Sequence, residues 1–180
     1  MIRAFVALRP DEAVCAWLED LGADLDDGLP TPHENLHVTL AFLGSHDRHV
    51  LEDVASELDR IRMPAPVLAF RGVGMFGRKR PRSAHALVVP DPGLTALHDA
   101  VRRAAQAGGV PLERRRFMPH ATVTRFSTEA PAEDDLSRWI AEHADFAAYG
   151  APVAAFSLWR SDLTRAGAVY TEAMRFSPAG

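Results

Sequence analysis

Leu36-His37-Val38-Thr39-Leu40-Ala41-Phe42-Leu43-Gly44 reads as a strand closed by a glycine, and His120-Ala121-Thr122-Val123-Thr124-Arg125-Phe126 reads as a second strand of the same kind. Side chains two apart on a strand point to one face. His37 and Thr39 therefore emerge together, as do His120 and Thr122, while Val38, Leu40, Ala121 and Val123 face the packed side. A single His-x-Thr is common and nearly uninformative. Two of them at matching places in a repeated pattern carry information.

The pattern around them does repeat. Residues 2–8 alternate as a strand. Pro10-Asp11 then opens a helix whose apolar face is Val14, Trp17, Leu18 and Leu21. A loop over 22–32 leads to the first His-x-Thr strand, a helix follows over 47–63, and residues 67–70 read as a strand. In the second half, residues 85–89 read as a strand. Asp91-Pro92 opens a helix carrying Leu94, Leu97, Val101 and Ala104, and Gly108-Gly109 ends it. After a basic loop comes the second His-x-Thr strand, then a helix over 133–143 and strands over 154–159 and 168–176. Arg3 and His37 are 34 residues apart and His85 and His120 are 35 apart, which supports duplication. Strands and helices mixed in this order indicate an α+β fold with antiparallel pairing. The expectation is a single domain over 1–180, two-lobed and pseudo-duplicated, with repeats near 1–80 and 81–180. Its antiparallel sheets, with flanking helices, would enclose a central cleft, the usual place for a site.

The chain has 180 residues, 47% hydrophobic and 24% charged, an ordinary globular mixture. No apolar run approaches the ~18 residues of a membrane helix. The start, Met1-Ile2-Arg3-Ala4-Phe5, lacks the features of a secretory signal. Cys15 is the only cysteine, which rules out an internal disulfide framework and a thiolate zinc cluster. A cytoplasmic protein is expected. The net charge of −4 offers no global attraction to nucleic acid, but the cations are clumped. Residues 71–82 carry +5 and residues 111–125 carry +3, which leaves −12 on the remainder. Such cationic segments either focus a field on an anionic ligand or serve as solvated loops.

Imidazole has an ordinary pKa near ~6.5 and exchanges protons at neutral pH. Two imidazoles across a cleft can act as base and acid in one turnover. In-line displacement at phosphorus suits such a pair, because one group deprotonates the nucleophile while the other protonates the departing oxygen. Two threonine hydroxyls can donate to the non-bridging oxygens, where charge builds. His37 and His120 are thus the candidate catalytic residues, with Thr39 and Thr122 as candidate phosphate ligands. The chemistry needs no metal. His46 and His49 lack a third ligand at a usual spacing. Gly72-Val73-Gly74 lacks the rest of a phosphate-binding loop.

These residues resemble the paired signature of the 2H phosphoesterases. The neighbouring stretches narrow the resemblance to the bacterial and archaeal RNA 2′,3′-cyclic phosphodiesterases, historically called 2′-5′ RNA ligases. They are Arg3-Ala4-Phe5-Val6-Ala7-Leu8, Glu34-Asn35-Leu36 ahead of His37, Phe117-Met118-Pro119 ahead of His120, and Leu158-Trp159-Arg160-Ser161-Asp162-Leu163 with Gly167-Ala168-Val169-Tyr170. The resemblance implies a two-lobed α+β fold in which each lobe gives one His-x-Thr strand to the cleft. It implies hydrolysis of an RNA 2′,3′-cyclic phosphate to a 2′-phosphomonoester without a cofactor. In reverse it implies joining of a 5′-hydroxyl through a 2′-5′ linkage. The implied partner is RNA ending in a 2′,3′-cyclic phosphate, tRNA fragments included, and no membrane; a monomer is expected because a two-lobed cleft needs no second chain. One departure stands out: where relatives often carry tryptophan, this chain has His85.

Secondary candidates for RNA contact are Arg78, Arg80, Arg116, Arg125 and Phe117. Strict alternation puts Arg125 on the face opposite His120 and Thr122, and it puts Phe42 in the core. Two other functions stay open: cyclic phosphodiesterase action on small nucleotides or 2′-5′ oligonucleotides, and RNA binding without cleavage. If the arginines hold RNA backbone, affinity for an oligoribonucleotide falls steeply between about 50 and 200 mM salt. A salt-insensitive affinity in a titration removes that role.

Overall fold

Ile2–Leu8 forms β1 in the computed structural model of the chain, which describes residues 1–25, 28–62, 65–77, 80–113, 116–126, 133–164 and 167–177. Asp11 then caps α1, Glu12–Ala23, by accepting the Val14 N–H at 2.9 Å. The same carboxylate accepts the Ala151 N–H at 2.7 Å, tying a distant strand to the helix start. Asp91 caps α3 in the same way through the Leu94 N–H, ahead of Pro92. The helices are α1, α2 (Arg48–Leu58), α3 (Pro92–Ala107) and α4 (Glu133–Glu142). The strands after β1 are β2 (Leu29–Pro30), β3 (Val38–His46), β4 (Val67–Phe76), β5 (Ser83–Val88), β6 (His120–Arg125), β7 (Ala147–Pro152), β8 (Phe156–Thr164) and β9 (Gly167–Phe176).

These strands form one antiparallel sheet in the order β7-β4-β5-β6-β3-β1-β8-β9, with β2 beside β6. The mixed α+β architecture agrees with the sequence. The separate sheets expected there are joined, however, through one paired position, Val38 opposite Ala121. Pairing there covers two strand edges that would otherwise be left open. Each side of this seam draws on both halves of the chain. β1 and β3 continue into β8 and β9, whereas β4 leaves the first half to pair with β5.

The helices cover one face of the sheet. α1 packs on β6 and β7, and α3 packs on β3 and α2. Val6, Leu8, Val38 and Leu40 from the strands meet Val14, Leu18, Val54, Leu58, Leu97 and Val101 from the helices, all at most 2% exposed. Trp17 does not join this stripe and is 47% exposed. The buried line on α1 runs through Val14, Cys15, Leu18 and Leu21, roughly a quarter turn from Trp17 at 100° per residue. β7 was not expected either: Ala147-Ala148-Tyr149-Gly150-Ala151-Pro152 is poor in strand formers. It is held as an edge strand on β4, where proline is tolerated. β4 itself runs beyond residue 70 to Phe76, so half of the first cationic segment is strand rather than loop.

Gly22 marks the closest approach of α1 to the sheet. A Cβ there would lie 2.6 Å from the Val123 carbonyl oxygen, and the Gly22 carbonyl accepts the Thr124 hydroxyl at 3.0 Å. Gly→Ala inside a helix ordinarily stabilises by up to about 1 kcal/mol. Here Gly22→Ala is expected to destabilise by about 1–3 kcal/mol through overpacking. Urea denaturation measures this; an unchanged or raised midpoint would show that α1 is free to move off β6.

Candidate active site

Val38 and Ala121 are fully buried on the helix side of the seam. Their neighbours therefore point to the uncovered face. The antiparallel register sets His37 across from Thr122, and Thr39 across from His120. The two imidazoles are anchored identically. His37 Nδ1 donates to the Asn35 carbonyl at 2.6 Å, and His120 Nδ1 donates to the Met118 carbonyl at 2.7 Å. A carbonyl only accepts, so in each neutral ring the proton sits on Nδ1 and Nε2 keeps its lone pair.

Each imidazole also rests against two further rings. His37 packs against Phe5 (4.9 Å between centroids) and Tyr170 (5.4 Å), which touch each other at 4.9 Å. His120 packs against Phe76 (4.7 Å) and His85 (5.0 Å), which lie 4.3 Å apart. His85 is 2% exposed, and its Nδ1 has no hydrogen-bond partner among the described residues. It sits opposite Gly74 on β4 and Thr122 on β6. Space for its ring comes from the glycine, where a Cβ would be 2.9 Å from His85 Nε2. Phe5 and Tyr170 were not read as site residues. Apolar alternation in β1 and a tyrosine in the final strand offer no local sign that both reach one imidazole.

Strict alternation fails just past each motif. Thr39 pairs with Ala7 and Ala41 pairs with Val6, which leaves Leu40 as an extra residue. Thr122 pairs with His85 and Thr124 pairs with Ala84, which leaves Val123 extra. Both strands thus carry a bulge at the same place, and a bulge resets which face later residues occupy. Phe42, expected in the core, is 50% exposed beneath the Arg3 guanidinium, which lies 4.7 Å from its ring centroid. Arg125, expected on the far face, lines a cleft of about 470 Å³ together with His37, Thr39, Phe5, Phe42 and Tyr170.

Burial pushes the His37 imidazole down to about 4, and the charges of Arg125 and His120 push the same way. Burial also lowers His120, with a further contribution from Arg125. His85 falls to about 4 by burial and by its proximity to His120. Both motif imidazoles are therefore neutral at neutral pH. A bound phosphate anion would favour protonation of the nearer one.

Among the remaining candidates, Arg80 and Arg116 are exposed outside this cleft. Arg78, Arg114 and Arg115 lie outside the described residues. Phe117, proposed as a base contact, has one face stacked on His98 at 3.8 Å and packs on the core. Among the described residues no cluster of three His, Cys, Asp or Glu side chains could hold a metal ion, and no helix is long and apolar enough to cross a membrane.

A model of the family described as the 2′-5′ RNA ligase superfamily matches residues 10–165. An RNA 2′,3′-cyclic phosphodiesterase of Aeropyrum pernix is 32% identical over 141 residues, covering 76% of this chain and 78% of that protein. One of Archaeoglobus fulgidus is 27% identical over 95% of this chain and 97% of its own. The crystal structure of TT0787 of Thermus thermophilus superposes with a TM-score of 0.78 at 28% identity, covering 99% of this chain and 98% of that one. Escherichia coli LigT complexed with 3′-AMP shares the fold, with a TM-score of 0.75 at 24% identity, covering 98% of this chain and 97% of that one.

His37 and His85 have folded values near 4, below the ordinary 6.5 of an exposed imidazole. The unfolded chain therefore takes up protons first as pH falls, and stability declines from about 6.5 toward 4. Urea midpoints measured across that window should fall with pH. The fall should be shallower in His37→Gln; an equal slope in the variant would contradict the burial of a neutral His37.

Proposed function

The chain belongs to the 2′-5′ RNA ligase superfamily, and from that membership and its cleft we propose that it hydrolyses RNA 2′,3′-cyclic phosphate ends to 2′-phosphomonoesters by proton transfer between His37 and His120. The observation that carries the reading is the matched pair of Nδ1-anchored imidazoles, each with a threonine across the seam. His37 is assigned as the general base: its Nε2 takes a proton from water as the water oxygen bonds to phosphorus. His120 is the general acid: its protonated Nε2 gives a proton to O3′ as the P–O3′ bond breaks. The hydroxyls of Thr39 and Thr122 donate to the non-bridging oxygens, and Arg125 supplies a fixed positive charge where negative charge builds. With a 5′-hydroxyl in place of water, the same transfers in the same direction form the O5′–P bond, break P–O3′ and make a 2′-5′ linkage.

The substrate is the end of an RNA chain, tRNA fragments among them, and the enzyme acts as a cytoplasmic monomer. A lone buried Cys15, whose thiol burial pushes to about 11, supports a protein that does not use thiol chemistry.

Incubation with an oligoribonucleotide bearing a 2′,3′-cyclic phosphate, in the presence of chelator, should yield the 2′-phosphate. His37→Ala and His120→Ala should each lose roughly 10²–10⁴-fold in rate. A 3′-bridging sulfur makes the leaving group better, so it should restore much of the rate in His120→Ala and little in His37→Ala. The opposite pattern would exchange the two roles. Persistence of the cyclic end with folded wild-type protein would refute the hydrolytic reading. Because the free enzyme must hold one protonated and one neutral imidazole, and His120 is lowered from the ordinary value of 6.5, kcat/KM should already be falling as pH rises toward 6.5. Removing the charge in Arg125→Ala should move that alkaline limb to higher pH.

A further inference from the structure

The two strands that must hold His37 and His120 in register share only one paired position. Something else has to fix their spacing. His98, on α3, touches the approach to both. Its Nδ1 donates at 2.8 Å to the carbonyl of Leu40, the extra residue of the β3 bulge, one position after Thr39. A bulge residue lies outside the ladder with β1, and a buried carbonyl without a donor is costly, so this bond stabilises the bulge. The ring of His98 also stacks on Phe117, with centroids 3.8 Å apart and planes 10° from parallel. Phe117 leads directly into Met118, whose carbonyl orients His120. His98 is 8% exposed and is not among the residues that line the cleft, so it is not itself a proton-transfer group.

We propose that His98 is a positioning residue for the reaction: one side chain braces the His37-x-Thr39 strand through its bulge and the His120-x-Thr122 strand through Phe117. The proposal rests on the reading of His37 and His120 as the proton-transfer pair. The two contacts are separable. Asn at 98 keeps a donor near the Nδ1 position and loses the stack, Phe keeps the stack and loses the donor, and Ala loses both.

The test uses the full chain with a cyclic-phosphate oligoribonucleotide, measuring kcat and KM, with thermal unfolding to report folding. In His98→Ala, kcat should fall by about 10- to 100-fold while KM stays within about twofold, as for displaced reacting groups. His98→Asn and His98→Phe should each recover part of the loss. If His98→Ala does not fold, Phe117→Leu removes the stack from the other side and should lower kcat in the same manner. Folded variants with wild-type kcat, or with a lower unfolding temperature and unchanged kcat, would overturn the proposal. A second readout separates it from the hydrolytic reading. The imidazole nitrogen resonances of His37 and His120 should shift in His98→Ala even if the wild-type protein proves inactive on this substrate, and unmoved resonances would sink the positioning role.

Discussion

The pairing of Val38 with Ala121 is the contact on which the cleft depends. It joins strands from opposite halves of the chain, and its antiparallel sense decides which side chains meet. A parallel register would set histidine beside histidine. The antiparallel one gives each imidazole a hydroxyl neighbour across the seam. The small size of Ala121 and the branched Val38 fit the helix-covered face and leave the opposite face to the polar pairs.

Around this contact, burial works in two directions. The ring pairs Phe5 with Tyr170 and Phe76 with His85 partly shield His37 and His120 from water, while the backbone carbonyls hold their Nδ1 protons. The result is a neutral base ready to accept a proton at Nε2. The same burial opposes the imidazolium that the acid role requires. An arriving anion reconciles the two, since it raises the affinity of a nearby imidazole for its proton only when substrate is present. Arg125 lines the same cleft, and its positive charge opposes protonation of both imidazoles.

Much of this was legible in the residues. Alternation located β1, β3, β5 and β6, and aspartate caps located α1 and α3. The doubled His-x-Thr pointed to the chemistry because imidazole and hydroxyl two apart on a strand share a face. Three features were not legible. β7 has almost no strand propensity and forms because β4 offers an edge. Trp17 sits at the margin of a stripe whose centre is set by what α1 packs against. Phe42 and Arg125 were given the wrong face because one extra residue precedes each.

By itself the sequence determined what is local: the period of each element, its caps, and the pairing of polar groups within each motif. Those follow from backbone geometry within a few residues. Only the tertiary structure decided the bulges, the joining of the sheet at one seam, and the companions of each imidazole. A bulge exists relative to a partner strand, and the partner of β3 is fixed by a register between residues 30 to 44 positions apart. No window of the chain contains that information, because it is the long-range fit of β1, β3, β5 and β6 beneath α1 and α3 that selects it.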